Sequence, residues 1–368
     1  MITVRVAYLS FDFAEYSIRL VNALSRQVNV LLMLPANQAA PHLELLDRAV
    51  VFRPFSMPRL RQPLRQVRMI AGLNRQIEDF SPDVLHLQQG HLWFNLGLRF
   101  LPQSTLVLTI HDCRHHPGDK PSQKTPQWTL DLGYRRADEI IVHSKYVEQL
   151  LVGSYGMPDG HIHVIPHIGL GQPAAERTLQ SHRTPTVLFF GRIWQYKGLE
   201  YLIRAEPLIT SQVPEAKIVI AGRGEAFSRY RKMMVHPEHF VVHNEYISES
   251  HCAQLFEQAT VVTLPYIEAS QSGVVALAYT YGKPVVGTRV GGIPEMVDDG
   301  RTGFCVPPRN ENALANAIVR ILKDPDLANR LGTNGTRKIH TECSPAQVAN
   351  MTVEVYRRAM HSRLRAAA

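Results

Sequence analysis

Short apolar runs of strand length alternate with helix-period segments along nearly the whole chain, and the alternation breaks once, between Gly169 and Pro185. Before the break, Val4–Ser10, Val28–Leu34, Val50–Phe55, Asp83–Leu87, Leu106–Ile110, Ile140–His143 and His163–Pro166 read as strands, with helices over Ile18–Leu24 and Lys145–Leu151. After it, strands at Thr186–Phe190, Ile218–Ala221, Phe240–Val242 and Val261–Leu264 are interleaved with helices at Leu199–Ile209 and His251–Gln258. Strands that alternate with helices argue for parallel sheets, so the fold class is α/β. The break, GLGQPAAERTLQSHRTP, has no apolar period and reads as a linker. At 368 residues the chain fits two domains with a cleft between them. The expected division is 1–168, a linker over 169–185, 186–344, and a C-terminal helix within 345–368 that packs back on the first domain. Helices over Glu311–Leu322 and Pro345–Ala359 close the chain, and the basic tail His361–Arg365 is expected to fray.

The four cysteines, Cys113, Cys252, Cys305 and Cys343, have no paired spacing, which excludes a zinc ribbon or a disulfide framework and fits a reducing, cytoplasmic compartment. No signal peptide opens the chain, and no apolar run reaches the roughly eighteen residues that would span a bilayer. The net charge of +8 suits anionic ligands or surfaces. It is concentrated between Arg48 and Arg75, where seven arginines (48, 53, 59, 61, 65, 68, 75) stand with no carboxylate. With Leu60, Leu64, Val67, Ile70 and Leu73 interleaved, residues 48–75 suit either a solvated helix face or peripheral contact with an anionic membrane.

Two strand ends carry the chemistry. After Val261–Leu264 come Glu268, Ala269, Ser270, Gln271, Ser272 and Gly273, and then an apolar helix. Unpaired amides and the positive end of the helix dipole would meet an anion there, unless Ser270 or Ser272 caps them. Strand Thr186–Phe190 ends in GRIWQYKG, in which Gly191 turns the chain and Arg192 and Lys197 bring two cations to one sheet edge. Such a pair suits a diphosphate. In the first half, His111 and Asp112 follow Leu106–Ile110, at the carboxyl end of a strand where ligands gather. His115, His116, Asp119 and Lys120 lie close by, but no second ligand cluster supports a metal, and none is expected.

The runs GRIWQYKGLEYLIRA, IVIAGRGE, PYIEASQSGVVALAYTYGKPVVGTRVGGIPEMVDDGRTGFCVPP and ENALANAIVRIL together resemble the donor half of the family 4 glycosyltransferases, continuously from about Val187 to Leu322. The resemblance implies the GT-B architecture, two Rossmann-like β-α-β domains facing across a cleft. It implies that Arg192 and Lys197 grip the diphosphate of a nucleotide sugar, that the turn from Ser270 through Gln271 and Ser272 to Gly273 takes up a phosphate, and that Tyr246 and Ile247 meet the nucleobase. Gly191, Arg223 and Glu268 complete the implied donor site, and His111 is implied to reach the transferred sugar, with Arg192, Lys197 and Glu268 as its catalytic companions. The nearest polar candidates for the acceptor are Glu15, Tyr16, His111 and Asp112.

Two departures stand out. The family usually carries two glutamates eight positions apart; here Glu268 is followed at that distance by Ala276, and alignment on Gly282 pairs Ala269 with Leu277. The glycine-rich turn after the first strand is also missing, since Phe11–Ser17 contains no glycine. The implied reaction is retaining, metal-independent hexosyl transfer from a nucleoside diphosphate sugar to a hydroxyl acceptor. A lipid-linked acceptor, in cell-surface polysaccharide or glycolipid assembly on the cytoplasmic face of the membrane, suits the arginine-rich segment. The alternatives are a degenerate protein that binds a sugar nucleotide without turnover, and an epimerase or sugar-phosphate-forming enzyme of the same architecture. A dinucleotide oxidoreductase is disfavoured because Phe227 stands where AGRGE would need its third glycine. A nucleic-acid partner is not expected.

Overall fold

Apolar runs rich in valine, isoleucine and leucine bury both faces of the inner strands, which forces helices onto both sides of the sheets they form. The computed structural model describes residues 4–98, 104–119, 124–172 and 184–367. In the first sheet β1 (Arg5–Ser10), β2 (Asn29–Pro35), β3 (Val51–Phe55), β4 (Val84–Gln88), β5 (Thr105–Ile110), β6 (Glu139–Val142) and β7 (Ile162–Val164) lie parallel in the order β3-β2-β1-β4-β5-β6-β7. In the second, β8 (Thr186–Phe190), β9 (Lys217–Ala221), β10 (Phe240–His243), β11 (Val261–Leu264), β12 (Val285–Thr288) and β13 (Gly303–Val306) lie parallel in the order β10-β9-β8-β11-β12-β13. Each sheet reverses direction once, between β1 and β4 and between β8 and β11. Loops that leave adjacent strands on opposite sides of such a point diverge and open a crevice.

The chain divides into two compact units, one of residues 1–115, 120–168 and 342–368, the other of residues 116–119 and 169–341. Each has its own core. The first is built on Leu9, Leu31, Leu87, Phe94, Leu108 and Val142, the second on Phe189, Leu202, Ile218, Val261, Ile318 and Leu331. Helix Pro345–Ala367 belongs to the first unit, packing on helix Ala14–Leu24 and β5, and Tyr356 reaches His86 Nδ1 from it at 2.6 Å. The tail His361–Arg365 does not fray: it continues that helix, which runs eight residues beyond the Ala359 expected from the sequence. Most of the linker, residues 173–183, and the residue Lys120 lie outside the described residues. Among the described residues no helix is long and apolar enough to cross a membrane.

Candidate active site

The turns after β8 and β11 meet at the switch point of the second sheet, and Tyr266 is their common centre. Lys197 Nζ lies 3.8 Å from the centroid of the Tyr266 ring, a cation held on a π face while its stem is about nine-tenths buried. The Tyr266 hydroxyl and Ser272 Oγ are 3.2 Å apart. Burial pushes the Tyr266 phenol well up, against the Ser272 hydrogen bond and the charge of Arg192. Ser272 is the N-cap of helix Gly273–Thr280, yet its side chain makes no capping bond. The ordinary serine cap is therefore not made by Ser272, whose hydroxyl is turned to Tyr266 instead. A Cβ placed on Gly191 would lie 3.6 Å from Val274 in the first turn of that helix, so the β8 turn and the helix start are neighbours. The side-chain carbonyl of Gln271 is buried and accepts no hydrogen bond.

Residues His116–Asp119 join this second unit and supply partners to two of the expected site residues. Arg192 is half exposed, and its Nη1 pairs with the buried Asp119 carboxylate at 3.0 Å. His116 stacks on Tyr196, with ring centroids 4.5 Å apart, and its Nδ1 lies 3.1 Å from Glu268 Oε1. Asp119 and His116, weighed in the sequence only as metal ligands, are thus committed to Arg192 and Glu268. Among the described residues no group of three or more His, Cys, Asp and Glu is placed to hold a metal ion.

Glycine makes the close approach of these turns possible. A Cβ on Gly198 (φ 63°) would fall 2.0 Å from the Pro265 carbonyl oxygen, and one on Gly222 (φ 144°) 2.0 Å from that of Gly191. The glycines of AGRGE accordingly serve strand-end packing. Arg223 is exposed and its carbonyl accepts from the Ile193 amide at 3.1 Å, while Tyr246 is exposed and Ile247 half-buried after β10.

In the first unit the ends of β1, β4, β5 and β6 bring together a buried cluster of histidines. His111 stacks on Phe13 at 3.9 Å between ring centroids and sits 4.7 Å from His143 and 5.8 Å from His167, and Tyr16 packs edge-on against His111 and His167. Tyr8 donates to Gln88 Oε1 at 2.7 Å, which turns the Gln88 amide nitrogen onto His111 Nε2. His111 therefore carries its proton on Nδ1, which is buried without a partner. His143 donates through Nδ1 to the Ile165 carbonyl at 2.9 Å, leaving the buried Nε2 with an unused lone pair. Burial holds all of them neutral: it lowers His86 and His143 to about 3 and His167 to about 4, and pushes His111 well below its ordinary value. Glu15 pairs with Arg19 at 2.8 Å, and the Asp112 carbonyl accepts from Gln89 Nε2 at 3.3 Å. In the turn that lacks glycine, Phe13 itself takes the left-handed conformation, at φ 59° and ψ 45°.

A model described as Glycosyltransferase Family 4 matches residues 14–168, and one described as Glycosyl transferases group 1 matches residues 184–324. The chain belongs to the family 4 glycosyltransferases. Among relatives of this glycosyltransferase, an uncharacterized glycosyltransferase of Methanocaldococcus jannaschii is 33% identical over 177 residues, 47% of this chain and 45% of that protein. That match spans less than half the relative's length. The α-D-kanosaminyltransferase of Streptomyces kanamyceticus is 24% identical over 270 residues, 68% of this chain and 70% of its own. Among solved structures, sucrose-phosphate synthase from Thermosynechococcus elongatus superposes with a TM-score of 0.74 at 20% identity, covering 98% of this chain and 100% of that one. Anabaena HepE in complex with UDP and glucose gives 0.73 at 17% identity, covering 95% and 98%. At such identities the structures establish the fold, which is GT-B.

Proposed function

We propose that this glycosyltransferase moves a hexosyl group from a nucleoside diphosphate sugar to a hydroxyl acceptor with retention of configuration, and that its donor site is the cluster around Tyr266. The observation that carries the reading is the convergence, at the β8/β11 switch point, of a buried ammonium, a carboxylate-held guanidinium and a helix start that its N-cap serine leaves uncapped. Cations and amide donors fixed before the anion arrives stabilise a departing diphosphate without reorganising. In the reaction the bond from the anomeric carbon to the diphosphate oxygen breaks and its electron pair leaves with the diphosphate. The acceptor oxygen then bonds the anomeric carbon from the same face and passes its proton to the departing oxygen. Lys197 and Arg192 balance the developing charge, so the step needs no metal, and chelation by EDTA is expected to leave the rate unchanged. Gln271, whose carbonyl lacks a donor, is suited to a hydroxyl of the bound sugar.

Uridine is the first base to test, because the related HepE is seen with UDP and with UDP-glucose. On the acceptor side, a cluster of neutral imidazoles with one unused N–H and one unused lone pair suits a hydroxyl better than an anion. A lipid-linked hydroxyl in cell-surface polysaccharide or glycolipid assembly, met at the cytoplasmic face of the membrane, agrees with the basic character of residues 48–75.

The test is incubation with a panel of UDP-, GDP-, ADP- and TDP-sugars, following diphosphate release and the anomeric proton of the product by NMR. Slow release from one donor class, with α-linked product from an α-linked donor, is the expected result. Inverted product would overturn retention. Thermal stabilisation by a nucleotide with no release from any sugar would favour the binder without turnover, a reading that Ala276 in place of the second glutamate keeps open.

A further inference from the structure

The arginine-rich segment has a defined shape that the transfer reaction does not use. Helix Pro63–Phe80 buries Gln66, Leu73 and Ile77 against the first unit. At 100° per residue the opposite face presents Leu64, Arg68, Ala71 and Arg75, with Val67 on one flank and Arg65 on the other, and all six are exposed. Leu64 is 76% exposed and Val67 56%, among the largest apolar exposures on the surface. Burying Leu64 in the first unit would require turning the helix over.

The approach to this helix extends the same surface and is held in place. Met57, Arg59 and Arg61 are exposed there, while Gln66 Nε2 donates to the Pro58 carbonyl at 2.8 Å and Trp93 Nε1 to the Leu60 carbonyl at 2.9 Å. None of the seven arginines from 48 to 75 forms an ion pair with a described carboxylate. The two acids of the helix, Glu78 and Asp79, stand at its far end, beyond the last arginine, Arg75, in the fourth turn.

From this arrangement we infer that Met57–Arg75 is a peripheral docking surface for a bilayer of anionic phospholipid, with Leu64 and Val67 entering the headgroup boundary and Arg59, Arg61, Arg65 and Arg68 meeting phosphates. The aliphatic tips decide against nucleic acid. A strand of RNA or DNA would be met by aromatic stacking platforms between the cations, whereas two exposed aliphatic side chains ringed by guanidinium groups match the interior-facing and headgroup-facing layers of a lipid leaflet. The surface is distinct from the donor site and stands whether or not the transferase assignment does. It adds to that assignment a reason for a lipid-linked acceptor.

The experiment is co-sedimentation of the full chain with vesicles of phosphatidylcholine alone and of phosphatidylcholine with phosphatidylglycerol, at two salt concentrations. Binding only to the anionic vesicles, weakened by salt, is expected. Arg65→Gln with Arg68→Gln should lower the partition coefficient roughly 30-fold. Leu64→Asp with Val67→Asp should lower it at least as far, without changing diphosphate release from a soluble donor. Three results would overturn the inference: no preference for anionic vesicles, wild-type partition by both double variants, or retention on single-stranded nucleic acid with none on vesicles. Loss of donor turnover with vesicle binding intact would count against the proposed reaction and leave the docking surface standing.

Discussion

Asp119 shows what one buried carboxylate can do for a half-exposed guanidinium. Its side chain is almost wholly buried and lies 3.0 Å from Arg192 Nη1, so it fixes the orientation of the guanidinium. Asp119→Asn is expected to raise the donor KM roughly tenfold with a smaller effect on kcat. If the carboxylate acts through Arg192, combining it with Arg192→Ala should cost little more than Arg192→Ala alone, and fully additive losses would sink that account. Lys197→Ala should lower kcat/KM by roughly 10²- to 10³-fold while the melting temperature holds within a few degrees, because its ammonium is asked to stabilise the departing diphosphate. Wild-type turnover in that variant would remove Lys197 from the mechanism. Arg192 and Lys197 entered the candidate site through the family resemblance that GRIWQYKG helps to carry, since two cations beside a turn glycine suit a plain surface as well. Tyr266 did not, since an aromatic after an apolar strand reads as core; only the fold reveals that a cation sits on its face.

At the level of elements, glycine decides how near the two site turns come. Gly198 combines a left-handed backbone with a Cβ position 2.0 Å from the Pro265 carbonyl. Gly198→Ala must move the β8 turn away from β11, at a cost of roughly 2–4 kcal/mol. Because Pro265 precedes Tyr266, the same shift parts Lys197 from its ring. Urea unfolding and initial rates well below the melting temperature separate the two effects: a variant destabilised by that amount but fully active in its folded state would show that the spacing is structural only. Eleven of the strands were read to within a residue or two because they are short apolar runs in a parallel sheet, whereas β12 and β13 were not read, their four-residue runs being interrupted by Gly287 or opened by Gly303. Helix Pro325–Thr341 escaped because it holds Gly332 and Gly335, which lower helix propensity. Their reason lies in packing, since a Cβ on Gly332 would meet the Gly282 carbonyl at 2.0 Å and one on Gly335 the Tyr279 ring at 2.3 Å. The left-handed Phe13 was hidden for the opposite reason, as the turn keeps the geometry of a glycine without the glycine, steadied by stacking on His111.

Over the whole molecule, the buried histidines make the first unit acid-sensitive. His86, His111, His143 and His167 all have folded-state values depressed by burial, to about 3, well below normal, about 3 and about 4. The unfolded chain takes up protons near pH 6.5, where the folded chain takes up none, so the stabilisation is complete above that pH and drains away as pH falls toward the folded values. From pH 7 to 5.5 each histidine forfeits about 1.2 kcal/mol, and with His91, which burial lowers to about 4, the five of this unit forfeit roughly 6. Native-state hydrogen exchange resolves where the loss falls. Opening free energies of amides in β1, β4 and β5 should drop by about that amount over this range. Those in β8 and β11, whose sheet holds no comparable cluster among the described residues, serve as the internal reference. A profile for β1, β4 and β5 as flat as the reference would mean that water reaches the imidazoles and that they protonate in place. The neutral, hydroxyl-selective character argued for this cluster would then fail together with the stability account, because both depend on the same dry surroundings.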